Sequence, residues 1–351
     1  MYLFGAGATR AEMSRQALEA DITMKGIAKS VLKLSEERAG EYWNIHKNFG
    51  LPEDQDIEII MSLLEGFNDV ESSGFEDVCN ELRQLFRQYL ITQVTEKRVG
   101  SGIQSSLLHL HKHYGRQMGT KGEELAGVLT TNYDSLLDGA YSTVHGAIDY
   151  GYGFQLEAYR RAETVPPLLK LHGSFNWRIE GDRLTVSKEF ENREYADDCS
   201  GWIPPSVYKR PPNVVFQNVW SKAAKLTADC DVLRIVGSSL RSEDFAFLSL
   251  IFTSQLRSKN TFSIELIVPD KDAIGEENAS GRQRQVLGIM QRVPFLGKLR
   301  YFSSLLVFEK ESYLADNVFY SWVLMKVREI ERNLGTSLND DFINSTLLLE
   351  V

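Results

Sequence analysis

The chain has 351 residues, enough for about two average domains, and 43% apolar against 25% charged residues is the balance of a folded protein with a sizeable core. A formal net charge of -9 argues against direct nucleic-acid binding, which needs a basic face to neutralise phosphates. No run approaches the roughly 20 apolar residues of a membrane helix, and the amino terminus shows no basic segment followed by an apolar one, so a cytoplasmic protein with no membrane partner is expected.

Leu3 and Phe4 lead into Gly5, Ala6, Gly7, Ala8 and Thr9, and Ala11 to Ala20 is rich in helix formers. This predicts a strand, a tight turn and a helix start. Glycines in such a turn let backbone amides approach a phosphate, and the helix amino terminus adds partial positive charge. The G-x-G-x-x-G spacing is not met, since Arg10 stands three residues after Gly7, and an ordinary βα turn accounts for the stretch about as well. The strand is only about four residues, which implies a start lacking a few residues or an edge position in a sheet.

From about residue 11 to 124 the chain reads as almost entirely helical. Phe75, Val78, Leu82, Leu85, Phe86, Tyr89, Leu90 and Val94 recur at helical spacing, and Ile57 to Phe67 and Ile103 to Tyr114 predict two more helices. A crossover between parallel strands needs little more than a dozen residues, so this is an inserted helical layer. His109 and His113 share a helix face within it, but no carboxylate or third ligand accompanies them; a solvated face explains them better than a metal. Cys79, Cys199 and Cys230 form no C-x-x-C pair and read as buried free thiols, so no metal site is expected.

Val128 to Thr130 is an apolar run that opens through Thr131 into Asn132, Tyr133 and Asp134, placing a carboxamide and a carboxylate two residues apart at a strand end. A helix is predicted to start near Asp134, whose plain structural role is to cap it. Leu168 to Leu171 is a further strand and delivers His172 beside Gly173 and Ser174; an imidazole with a pKa near 6.5 serves as a base around neutral pH. The aromatic-rich loop before it carries Tyr150, Tyr152, Phe154 and Tyr159. Residues 175 to 212, with Trp177, Trp202 and two Pro-Pro pairs, read as a small irregular excursion that has room for a short β module, and Trp220 to Ala228 as a helix. Val232 to Val236 ends at Gly237, Ser238 and Ser239, small groups beside which a phosphate or ribose fits. Asp244 opens an apolar helix, Phe262 to Val268 is a strand stopping at Pro269 and Asp270, Arg282 to Gln291 a helix, Leu299 to Phe302 a last edge strand, and Ala315 to Glu331 an amphipathic helix.

Ligands of open parallel sheets lie beyond the carboxyl ends of the strands, so these strand ends point to one shared pocket. The expected fold is α/β: a Rossmann-like parallel sheet with a large helical insertion and a small irregular excursion lacking a zinc ribbon.

As an ordered set, Gly5-Ala6-Gly7-Ala8-Thr9, Thr130-Thr131-Asn132-Tyr133-Asp134, Leu171-His172-Gly173-Ser174 and Gly237-Ser238-Ser239-Leu240 resemble the sirtuin-like family, in particular its bacterial branch found in antiphage defence. They are similar to that family's glycine phosphate turn, Thr-x-Asn-x-Asp element, catalytic His-Gly and Gly-Thr/Ser-Ser-Leu loop. The resemblance implies an NAD-binding domain over residues 1–316, with 317–351 as a carboxyl-terminal helix and tail. It implies that Gly5, Ala6, Gly7, Ala8, Thr9, Gly237, Ser238 and Ser239 line the phosphates and ribose. Asp134 would sit near the carboxamide, Thr131 would be a further cofactor-binding residue, Asn132 would hold the nicotinamide ribose and a water, His172 would act as general base, and Asp270 would stand where the family has a ribose contact.

The sequence also departs from the deacylase sirtuins. Thr131 stands in place of their glutamine, Gln217-Asn218 in place of a Gly-Glu that lines the acyl-lysine groove, and Pro269-Asp270 in place of an Asn-Pro order; the Pro-Asp-Phe-Arg element and the four-cysteine zinc ribbon are absent. With the groove elements replaced, water becomes the expected acceptor, which makes NAD the substrate of a glycohydrolase that depletes NAD during phage infection. A homo-oligomer, or a protein partner such as a translocase ATPase or nuclease, is expected to control it. The alternatives are an NAD-dependent protein deacylase and a non-catalytic module that binds NAD or ADP-ribose.

Overall fold

The computed structural model describes residues 1–16, 18, 22, 24–39, 56–70, 75–102, 104–105, 108, 124–152, 154–156, 164–187, 200–206, 209, 211–238, 246–251, 263–269 and 298–306. In chain order the strands are β1 (Tyr2–Phe4), β2 (Val128–Thr130), β3 (Phe154–Leu156), β4 (Leu168–Lys170), β5 (Trp177–Glu180), β6 (Arg183–Val186), β7 (Val232–Val236), β8 (Ser263–Pro269) and β9 (Lys298–Leu306). The helices are α1 (Ala6–Arg15), α2 (Met24–Ala39), α3 (Ile57–Val70), α4 (Phe75–Ile91), α5 (Leu136–His145) and α6 (Val214–Asp229); a π-helical turn, Thr92–Glu96, extends α4.

Six strands form one sheet in the order β4-β2-β1-β7-β8-β9. Every pairing in it is parallel. The chain steps outward from β1 to one side and then returns to build the other, the doubly wound order of a Rossmann-like sheet. β1 is therefore a central strand, not the edge its shortness allowed. Length was the wrong guide, because a three-residue strand hydrogen-bonded on both sides and fully buried is held by its neighbours. Burial on both faces explains the unbroken apolar runs of β1, β2 and β4. Alternate residues feed two cores: Tyr2, Phe4, Val128 and Leu168 pack on one face, and Leu3, Leu129 and Leu169 pack on the other with Val219 and Ala223 of α6.

The register positions the site. Phe4 pairs with Thr130 and Val236, and Thr130 pairs with Lys170, so β4, β2, β1 and β7 finish level with one another. The residues that follow leave the same sheet edge side by side. The reversal of strand order falls between β1 and β7, where a doubly wound sheet opens its crevice.

Helices α2, α3 and α4 form the helical layer, with Ile27, Val31, Ile60, Leu64, Leu82 and Phe86 buried among them. The excursion contains the β5–β6 hairpin, the short β module expected there, and β3 from the loop before β4 joins it to make a three-stranded sheet, β3-β6-β5. Helix α6 starts at Val214, six residues before the expected Trp220, because Asn213 caps it: the Asn213 side chain accepts from the amides of Val215 (3.1 Å) and Phe216 (3.2 Å). Among the described residues no helix is long and apolar enough to cross a membrane, and no group of three or more His, Cys, Asp or Glu is placed to hold a metal. Cys79 and Cys230 are buried free thiols. His109, His113, Cys199, Ser239, Asp244, Asp270 and the helices expected at 282–291 and 315–331 lie outside the described residues.

Candidate functional site

Between β2 and α5 the chain crosses the sheet edge in five residues, and its polar groups are held at each step. The Thr130 hydroxyl donates to Phe4 O (2.9 Å) and accepts from the Asn132 amide (3.0 Å), while Thr131 N donates to Phe4 O (3.3 Å). Asn132 donates through Nδ2 to Gly5 O (3.1 Å) and to the Thr9 hydroxyl (3.1 Å). Thr9 in turn donates to Asp134 Oδ2 (2.9 Å), and Asp134 Oδ1 accepts from the Leu136 amide (3.1 Å). Asp134 thus caps α5 as expected, while Ser135, at the helix boundary, makes no side-chain cap.

These bonds join three of the expected site residues, Thr9, Asn132 and Asp134, in one relay from α1 to the β2–α5 turn. Both Nδ2 hydrogens of Asn132 are spent inside the protein, so the face its carboxamide keeps for another molecule is the acceptor oxygen. Asn132 and Thr9 are buried, whereas Thr131 and Asp134 are partly exposed. Burial pushes the Asp134 carboxyl above its ordinary pKa; the Lys170 ammonium, the Leu136 amide and the Thr9 hydroxyl pull it down, and Asp138 adds a smaller push upward.

His172 follows β4 and is buried. Its ring lies 5.9 Å, centroid to centroid, from that of Tyr133. Ile203 ties the two together, its amide donating to His172 O (2.9 Å) and its carbonyl accepting the Tyr133 hydroxyl (2.9 Å). Gly173 is indispensable there: its φ is +73° and a Cβ would stand 2.1 Å from Gly201 O. Ser174 Oγ and Phe175 N both donate to Tyr133 O (3.0 and 3.3 Å), which locks the His172 segment to the Asn132 segment.

On the other side of β1, Gly5, Gly7 and Ala8 donate their amides to Val236 O (2.9 Å), Gly237 O (2.8 Å) and Gly5 O (2.9 Å). Two turns meet backbone to backbone at the switch point. A Cβ on Gly237, whose φ is +63°, would lie 2.2 Å from Ala8 N. Ala6 is exposed, and Gly7, Gly237 and Ser238 are partly so. The glycine amides that sequence reasoning offered to a phosphate are therefore bonded to carbonyls here, and the glycines serve the close approach of the two turns.

Two polar residues that matter were missed. Lys170, the last residue of β4, is fully buried and donates to Asp138 Oδ2 (2.7 Å) and to the backbone carbonyl of Asp134 (2.6 Å). The Tyr150 hydroxyl donates to the other Asp138 oxygen. A lysine inside an otherwise apolar strand was the available signal, since a buried ammonium needs a counter-charge.

A SIR2-like domain family model matches residues 126–280, which takes in β2, His172 and β7 but not the Gly5–Thr9 turn. No curated protein matches the chain. Among solved structures, a mutant Sir2 homologue in complex with ADP ribose is 14% identical, with a TM-score of 0.41, over 97% of this chain and 94% of that one. A mutant Sir2 homologue with 2'-O-acetyl ADP ribose is 12% identical, TM-score 0.38, over 96% and 94%. A Sir2 complex with p53 peptide and NAD+ is 15% identical, TM-score 0.33, over 76% and 80%.

Proposed function

We propose that this chain is an NAD glycohydrolase, cleaving NAD with water to nicotinamide and ADP-ribose. The observation that carries the reading is the relay at the sheet edge: both Nδ2 hydrogens of Asn132 are held inside the protein, which leaves its acceptor oxygen for another molecule, and His172 leaves the neighbouring strand at the same edge. The match to a SIR2-like domain over residues 126–280 supports NAD as the ligand.

In this reading the Asn132 oxygen accepts a hydrogen bond from the attacking water or a ribose hydroxyl and so orients it. The water oxygen bonds to the ribose carbon as the bond to nicotinamide breaks, its electron pair leaving with the nicotinamide ring, and His172 accepts the proton released. Asp134, anchored by Thr9 and Leu136, lies beside the nicotinamide end. Water is favoured over an acyl-lysine because Gln217 and Asn218, which replace the groove-lining Gly-Glu, are exposed within the first turns of α6, and Asn218 Nδ2 is turned onto Val214 O (2.8 Å).

The biological role we propose is that of an antiphage effector acting by NAD depletion in the bacterial cytoplasm, held in check as a homo-oligomer or by a partner such as a translocase ATPase or nuclease. Its support is the resemblance of the ordered motif set. Nicotinamide release by purified protein, wild type beside folded Asn132→Ala and His172→Ala, tests the chemistry. Release lost in both variants is the expected result. Tight NAD binding without turnover in every assembly state would replace the hydrolase with a binding module.

A further inference from the structure

Lys170 ends its strand beneath the Asn132–Asp134 turn with its side chain out of water, as is that of its partner Asp138. Such a pair is a costly way to hold two core elements together, because apolar side chains of similar volume commonly hold them as well or better. An apolar pair lacks a donor for a backbone carbonyl. Lys170 has one and places it 2.6 Å from Asp134 O, inside the only segment that carries both Asn132 and Asp134. Asp138, from α5, accepts from the ammonium through Oδ2 and from the Tyr150 hydroxyl, in the loop before β4, through Oδ1. Register makes the reach short, since Lys170 pairs with Thr130, the residue from which the turn departs.

We propose that Lys170 is a positioning residue for NAD cleavage: through the Asp134 carbonyl it fixes the turn that presents Asn132 and Asp134, and Asp138 holds its ammonium in place. The proposal rests on the glycohydrolase reading. Its charge has a second effect on the same turn, drawing the Asp134 carboxyl toward the anionic form against the push of burial.

The test uses the full chain with Lys170→Met, Asp138→Asn and the apolar double variant Lys170→Met/Asp138→Leu. Four quantities are measured: nicotinamide release, NAD binding by calorimetry, denaturant stability, and hydrogen exchange of residues 131–136. A double variant of near wild-type stability is expected to bind NAD within about 3-fold of wild type while kcat falls by about 30-fold or more, the pattern of lost transition-state positioning. Wild-type kcat in that variant would overturn the proposal.

If the double variant does not fold, the single variants decide. Lys170→Met is expected to have a kcat about tenfold or more below that of Asp138→Asn, whose amide still accepts from Lys170. Losses that simply track stability in both would show a structural pair and nothing more. If the wild type itself releases no nicotinamide, the glycohydrolase reading fails separately and exchange judges Lys170. Faster exchange confined to 131–136 in a folded Lys170→Met variant supports the positioning role, and unchanged exchange there rejects it.

Discussion

At Asn132 the chemistry of one acceptor settles the orientation of the whole group. Gly5 O can only accept, so the nitrogen of the carboxamide must face it, and Thr9 accepts from that nitrogen while giving its own proton to Asp134. Thr9→Val preserves shape and removes the middle of the relay. It should cost about 1–3 kcal/mol of stability and lower nicotinamide release, with Thr9→Ser close to wild type in both; denaturant melts and the release assay check this. Asp134 makes a second expectation, with Lys170 and Asp138 as the charges that face it. Its folded pKa is raised by burial, so over the pH range between the unfolded and folded values the native state binds more of this proton than the unfolded chain does. The stability this brings is complete below the ordinary carboxylate value of about 4 and is lost as pH rises through the folded value. Relative to Asp134→Asn, wild-type protein should therefore lose stability as pH rises from the ordinary carboxylate value of about 4 through the raised folded value. A flat difference across parallel melts would mean that Lys170, Thr9 and the Leu136 amide cancel the effect of burial.

Among the elements, the turns carry more information than the strands they end. Gly237→Ala would drive a Cβ into Ala8 at a positive φ and push the two glycine turns apart; a loss of about 1–3 kcal/mol and weaker NAD binding are expected, read by melting and calorimetry. Asn213→Ala removes the α6 cap and touches none of the glycine-turn bonds. It should cost about 1 kcal/mol while nicotinamide release per folded molecule stays at the wild-type level. The sheet and its four informative ends were legible because parallel strands buried on both faces appear as apolar runs that stop at Gly, Asn or His. Two misreadings have physical causes. β1 was given an edge as one of two options because its length was weighed without its partners, and α6 was started late because Val214, Val215 and Phe216 favour strands until Asn213 caps them. The partner of Lys170 was hidden for another reason: the counter-charge is 32 residues away, and only folding brings the two together.

On the scale of the molecule, the helical layer is part of the wall of the site. Phe86 of α4 meets Tyr133 edge-on (5.6 Å), stacks on Trp202 (6.0 Å) and touches Phe175 (6.2 Å). Beside it Arg87 donates to Phe175 O (3.3 Å), and a buried Glu58–Lys209 pair ties α3 to the chain just before α6. Helical spacing alone revealed the layer, but its contact with the residue between Asn132 and Asp134 required the folded chain. Phe86→Ala should cost about 3–5 kcal/mol and also reduce nicotinamide release in the molecules that remain folded, because Tyr133 loses its backing. Melts combined with activity per folded molecule separate the two effects.

The central place of β1 also bears on how the protein is made. Its first partner strand follows so late that the Thr130 hydroxyl reaches Phe4 across 126 residues, and β7 comes later still. At about 5–20 residues per second of synthesis, β1 waits roughly 6–25 s on the ribosome before the first of its two partner strands, β2 and β7, is made. The helices of the layer fold on local contacts during that wait, whereas a fully apolar strand stands ready to aggregate. A nascent chain arrested before β2 should therefore carry a protease-accessible, chaperone-bound β1, and synthesis without chaperones should lower the yield of active protein more than it disturbs the helical layer.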